Sequence, residues 1–150
     1  MNEAADAPVL REFAIRVSGD HAFAAFTEDI AKWWPNAFSA SGANLASVVI
    51  EPMEGGRVYE VDTQGKEYDW GSVTIWEPGR GVVLTWTLGI GSTTATEVEA
   101  SFSGDADGCL LRLEHRGAGA DWAADRPKFD SSGGWDVVLG AYRSYAETGQ

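Results

Sequence analysis

Two side chains in this sequence pair versatile chemistry with a telling position, His115 and Glu60. His115 stands near the end of the segment CLLRLEHR, in phase with Cys109, Leu111 and Leu113. A period of two sets all four on one face of a strand. An imidazole that shares an apolar face can act as a general acid or base, or orient a polar guest. A histidine at a strand end can also be simply hydrogen-bonded or solvated. In RVYEV the alternation pairs Glu60 with Val58 and Tyr59 with Val61, which leaves open the pair that faces inward. Facing a cavity, Glu60 would be a buried carboxylate with a raised pKa, a base or a ligand anchor. Facing out, it is a solvated charge on a strand.

Other chemistries lack their residues. His21 follows Asp20 in the first turn of a helix and reads as surface. With two histidines in separate elements, one cysteine and no H-E-x-x-H spacing, neither a metal nor a cofactor is expected. There is no G-x-S-x-G elbow for a serine nucleophile. GIGSTT lacks the lysine and following helix of a phosphate loop, and GDADG lacks the glutamate of a calcium loop and lies between strands. Both read as hairpin turns.

Charge and length bound the partners. A formal charge of -12, from 23 acidic and 11 basic side chains without a basic run, repels nucleic acid and anionic lipid. The first ten residues, MNEAADAPVL, do not form a signal peptide, and no apolar run reaches the roughly 20 residues that span a bilayer. Cys109 alone cannot form an internal disulfide. The expectation is a single domain over residues 1–150, in the cytoplasm, without nucleic-acid or membrane partners.

The elements that must position His115 and Glu60 follow from periodicity. VLREFAIRV alternates as a strand, and GDHAFAAFTEDIAKWW carries Phe23, Phe26, Ile30 and Trp34 on one helical stripe, with Asp20 as a cap and Pro35 as a stop. A loop over 36–44 leads to ASVVIEP. RVYEV, YDWGSVTIWE, VVLTWTL, ATEVEASF and CLLRLEHR then form a meander of strands between turn residues. After a mixed segment, AGADWAADRPKFDSSGG, the stripe Trp135, Val138, Leu139 and Tyr142 marks a C-terminal amphipathic helix. The class is α+β, one antiparallel sheet with its helices on one face.

In VVLTWTL, Val82, Leu84, Trp86 and Leu88 fall on one side, which turns Trp86 inward. Strict alternation in YDWGSVTIWE puts Val73 inward with Ile75, and Trp70 and Trp76 outward. A four-residue loop would set Val73 opposite Trp86 and Trp76 opposite Val83. The space beneath the last helix is then either an ordinary core or a ligand cavity. In a cavity, Trp86, Trp135, Tyr142 and Val73 would supply contact area and His115 or Glu60 polarity.

Taken together, KWWP, IEPMEGGRVYE, WGSVTIWEPGR with VVLTW, TEVEASFS, LRLEHRG and the late GW before a helix resemble the family homologous to the activator of heat-shock protein 90 ATPase. That family belongs to the START-like, or SRPBCC, superfamily with the helix-grip fold of the birch-pollen allergen. The resemblance runs from about Arg11 to Tyr145. It implies a curved seven-stranded antiparallel sheet wrapped around a long C-terminal helix and a hydrophobic cavity that holds an apolar guest, which some superfamily members cyclise or hydrate. Eukaryotic co-chaperones of the family carry an additional N-terminal domain that these residues do not supply, which argues against a chaperone partner. Three functions follow as expectations. The first is binding of a small apolar or aromatic molecule. The second is a cyclase- or hydrolase-like reaction in the same cavity. The third is protein interaction, homodimerisation included, through an outer patch at Trp70 and Trp76.

Overall fold

The computed structural model describes residues 7–88, 95–104 and 106–149. The alternating segments become seven strands: β1 (Val9–Ile15), β2 (Leu45–Ile50), β3 (Arg57–Asp62), β4 (Glu67–Glu77), β5 (Gly81–Trp86), β6 (Thr96–Gly104) and β7 (Cys109–Arg116). They form one sheet in the order β1-β7-β6-β5-β4-β3-β2, with every neighbouring pair antiparallel. The chain begins at one edge, crosses to the far edge through α1 (Gly19–Thr27) and α2 (Ile30–Trp33), and returns strand by strand until β7 meets β1. Two further helices follow, α3 (Gly119–Asp130) and α4 (Trp135–Thr148). The curled sheet with α4 across its covered face is the helix-grip arrangement. Among the described residues no helix is long and apolar enough to cross a membrane.

Amphipathic α4 buries the expected stripe, Trp135, Val138, Leu139 and Tyr142, together with Ala146. Trp86 is buried beneath it, its ring centroid 5.6 Å from that of Trp135. The segment expected as one helix from Asp20 to Trp34 is instead two, interrupted at Glu28 and Asp29. Its cap is Ser18, not Asp20: the Ser18 hydroxyl accepts from the His21 amide at 3.1 Å. His21 itself is exposed. The mixed segment before α4 folds as α3, which contains Pro127 and buries only Trp122 and Asp125. With so narrow a buried face, α3 leaves no periodic signal, and its position depends on contacts with other elements. The Trp122 indole and the Arg126 guanidinium both donate to the Ala7 carbonyl, at 3.1 and 2.6 Å.

Strand β4 corrects the expected orientation of two tryptophans. Trp70 is fully buried, and Trp76 packs edge-on against Phe23 of α1 at 5.0 Å, so both face the helices. Two register shifts cause this. Against β3, Val58 pairs with Gly71 and Tyr59 with Asp69, which leaves Trp70 as an extra residue. Against β5, Val73 pairs with Leu84 and Ile75 with Val83, and Trp76 sits opposite Val82, not Val83. Each extra residue reverses the alternation, so Trp70, Val73 and Trp76 share the inner face at three-residue steps while Ile75 is exposed. Gly71 permits the tight crossing, since a Cβ there would overlap the Thr85 carbonyl. In the expected turn GDADG, Gly104 pairs with Cys109 across β6 and β7 and Asp105 lies outside the described residues; the turn expected at GIGSTT lies wholly outside them.

Candidate ligand-binding cavity

Consecutive indoles at the end of α2 begin the site. Trp33 turns into the core and donates to the Ala25 carbonyl at 2.7 Å. Trp34, at the helix end before Pro35, donates to the Phe38 carbonyl at 3.3 Å and presents its ring to a cavity of about 460 Å³. Trp86 from β5 and Trp135 from α4 complete an indole triangle, with centroid separations of 5.8, 6.3 and 5.6 Å. The segment Ala37 to Ala40 forms one rim. Lys128, Phe129, Gly133 and Gly134 at the α3–α4 junction form the other, and Leu88 and Val138 complete the lining. A space of this size, walled by aromatic and aliphatic carbon, is of the kind that takes small organic ligands. Among the described residues of the lining, Lys128 is the only ionisable side chain.

The α3–α4 junction is held from β1. Arg11 reaches Asp130 at 2.9 Å and the Asp130 carbonyl at 2.7 Å, and its Nε donates to Asp136 at 2.6 Å. One planar guanidinium thus joins the end of α3 to the start of α4. Gly134 is required between them, because a Cβ there would press on the Lys128 and Phe129 carbonyls.

His115 lies behind this wall and does not line it. The imidazole is fully buried and surrounded by Trp122 at 4.7 Å, Phe129 at 4.5 Å and Trp135 at 5.8 Å. The Trp135 indole can only donate, and it donates to His115 Nδ1 at 3.0 Å. The ring proton therefore sits on Nε2, which donates to the Thr96 hydroxyl at 2.7 Å, and the Thr96 hydroxyl in turn donates to the Trp86 carbonyl at 2.9 Å. Burial lowers the imidazole pKa to about 3. The ring is a neutral structural link between two cavity walls.

Glu60 is also fully buried, on the inner face of β3. Its Oε1 accepts from the Ala40 amide at 2.6 Å and from the Trp70 indole at 2.7 Å. Its Oε2 accepts from the Ser41 amide at 2.9 Å and from the Ser41 hydroxyl. Burial pushes the carboxyl pKa up, but the donors from Ser41, Ala40 and Trp70 outweigh it, and the net shift is downward. This corrects the expected raised pKa. A proton acceptor with a weakened basicity and four donors around it is not poised as a base.

Of the residues expected to form the site, Trp86 and Trp135 line the cavity, whereas His115, Glu60, Tyr142 and Val73 stand behind its lining. Tyr142 donates to the Ala22 carbonyl at 2.7 Å and packs on Phe26 and Trp33, with its pKa raised chiefly by burial. Val73 is buried in the β4–β5 ladder. Sequence reasoning did not bring Trp34, the 37–40 rim or the 128–134 rim to the site. KWWP was legible as a helix end, but nothing local marks small residues in a loop as a wall.

Comparison with known proteins places this geometry. The Activator of Hsp90 ATPase homolog 1-like protein family matches residues 16–147. Among curated proteins no sequence matches. The fold is similar to that of CalC from Micromonospora echinospora, a self-sacrificing resistance protein, at 24% identity over 95% of both chains with a TM-score of 0.70. It is similar to Txn09, an anthrahydroquino-gamma-pyrone synthase solved in complex with SUM, at 24% identity over 93% of this chain and 96% of that one, TM-score 0.60. It is also similar to the Aha1 dimer from Colwellia psychrerythraea, at 16% identity over 95% and 98% of the two chains, TM-score 0.60. With the family match spanning nearly the whole chain, this protein is a member of the Activator of Hsp90 ATPase homolog 1-like family with a helix-grip fold.

Proposed function

We propose that this protein binds a small aromatic molecule in the cavity bounded by Trp34, Trp86 and Trp135, in the cytoplasm. The observation that carries the reading is a packed cluster of three indoles that forms one wall of a cavity of about 460 Å³. The indoles are already held against one another, so the wall they present to a guest is preorganised and binding costs little side-chain entropy. The lining favours a flat, mainly apolar guest over a sugar or nucleotide, which would leave buried polar groups unpaired. The relatives add support, since Txn09 is named for an aromatic pyrone product.

Binding is favoured over turnover. General acid–base catalysis needs a titratable group within hydrogen-bond reach of the guest. His115 has both ring nitrogens engaged, and Glu60 spends its oxygens on the protein's own donors. Lys128, the ionisable side chain of the described lining, is ion-paired with Asp125 at 3.7 Å, and no second titratable group lines the described cavity beside it. The patch expected for protein interaction also loses its residues, because Trp70 and Trp76 face inward.

The test is titration of the purified protein with Nile red and with naphthalene, followed by dye emission and by tryptophan fluorescence, alongside native mass spectrometry for a co-purified guest. Saturable binding with indole quenching supports the reading. No binding of either probe and no co-purified guest would sink it. Size-exclusion chromatography reads the expectation of a homodimer separately.

A further inference from the structure

Glu60 has no cationic partner on any of its four hydrogen bonds, yet it is fully buried. A carboxylate is kept charged in such a place only where strong donors converge on it. Here they come from two directions. Ala40 and Ser41 belong to the loop that forms one rim of the cavity. Trp70 comes from β4, and its ring backs Trp34 at 4.9 Å and Trp86 at 5.5 Å, two of the three indoles that face the guest. One side chain on β3 therefore ties the 37–41 rim, whose residues apart from Phe38 are small, to the indole wall.

We propose that Glu60 is a positioning residue of the cavity, its carboxylate acting as a clasp that sets the separation of the 37–41 rim from the Trp34–Trp86 wall and so selects the width of the guest. This rests on the cavity being a binding site, but the clasp itself is measurable without any guest. All four partners donate, and the oxygens of a carboxylate accept all four. Glutamine has nearly the same size and shape, yet its amide must aim N–H groups at a backbone N–H or an indole N–H. A role in packing alone tolerates glutamine; a clasp of four donors does not.

The experiment compares wild type, Glu60→Gln and Ser41→Ala by amide hydrogen exchange and by binding of naphthalene and Nile red. In Glu60→Gln the Ala40 and Ser41 amides are expected to lose at least about ten-fold protection while the β6 and β7 amides keep theirs. Ser41→Ala, which removes one hydroxyl donor and leaves the carboxylate, is expected to give a smaller loss at the same two amides. The ratio of naphthalene to Nile red affinity is expected to shift toward the larger dye in both. Unchanged protection at Ala40 and Ser41 in Glu60→Gln overturns the clasp, and so does equal loss across all amides in both variants or an unaltered affinity ratio. If neither dye binds wild type, the binding reading and the selection of width fail together, whereas local loss of protection would still establish the clasp as a structural tie.

Discussion

The indole N–H of Trp135 donates to Nδ1 of His115 at 3.0 Å, so a residue on the cavity wall dictates the tautomer of a histidine that never reaches the cavity. The order of donors, Trp135 to His115 to Thr96 to the Trp86 carbonyl, links α4, β7, β6 and β5 beneath the cavity. Trp135→Phe removes the first donor and leaves Nδ1 buried without a partner. A loss of about 1–3 kcal/mol in urea denaturation is expected, and nitrogen chemical shifts of the imidazole report the altered ring.

His115 predicts an acid limit. Its folded pKa of about 3 lies below the ordinary 6.5, so between these values the unfolded chain binds the proton and the folded one does not. Its contribution to stability is complete above pH 6.5 and falls as the pH is lowered toward 3, by a few kcal/mol in total on the order-of-magnitude scale of burial shifts. Glu60, with its pKa lowered, adds a second loss that begins below its ordinary value of 4.5. Denaturation midpoints measured at pH 7, 5.5 and 4.5 should fall in that order, and the His115 ring resonances should stay those of the neutral Nε2–H form throughout the folded range. A ring that titrates near its ordinary value in the folded protein would contradict this.

Gly71 and Gly140 should respond to alanine with opposite signs. A Cβ at Gly71 runs into the Thr85 carbonyl, which belongs to a hydrogen-bonded strand and cannot give way cheaply. Gly71→Ala is expected to cost about 3 kcal/mol or more. Gly140 sits on the exposed side of α4 with nothing near its missing Cβ. Gly140→Ala should raise stability by up to about 1 kcal/mol, from helix propensity alone. Thermal or urea unfolding of the pair measures both.

Filling the mouth of the cavity should separate binding from folding. Ala37 is exposed on the rim, so Ala37→Phe adds a ring at the cavity mouth without displacing core atoms. Dye affinity is expected to drop by about ten-fold or more, while the unfolding midpoint changes within about 0.5 kcal/mol, as surface substitutions do. An affinity equal to wild type would place the dye elsewhere.

The order and type of most elements were legible in the sequence because the signals are local. Alternation in CLLRLEHR and VVLTWTL turned Cys109, Leu111, Leu113, His115 and Trp86 inward, and the structure buries all five. The stripe on the last helix likewise anticipated its buried face. Strand alternation and helical stripes are read from neighbouring residues, and burial acts on them the same way wherever the element docks. What only the tertiary structure decided depends on partners distant in the chain. The two bulges in β4 arise from its pairing with β3 and β5, and they reverse the facing of Trp70 and Trp76. Glu60 could not be assigned a face from RVYEV, because its burial is made tolerable by Ala40, Ser41 and Trp70, none of them its sequence neighbours. Helix α3 and the 37–40 rim carry no periodic pattern, since each is held mainly by single contacts and not by a continuous apolar face. A side chain's direction within an element is written locally; the space left between elements is set by how their separate faces meet.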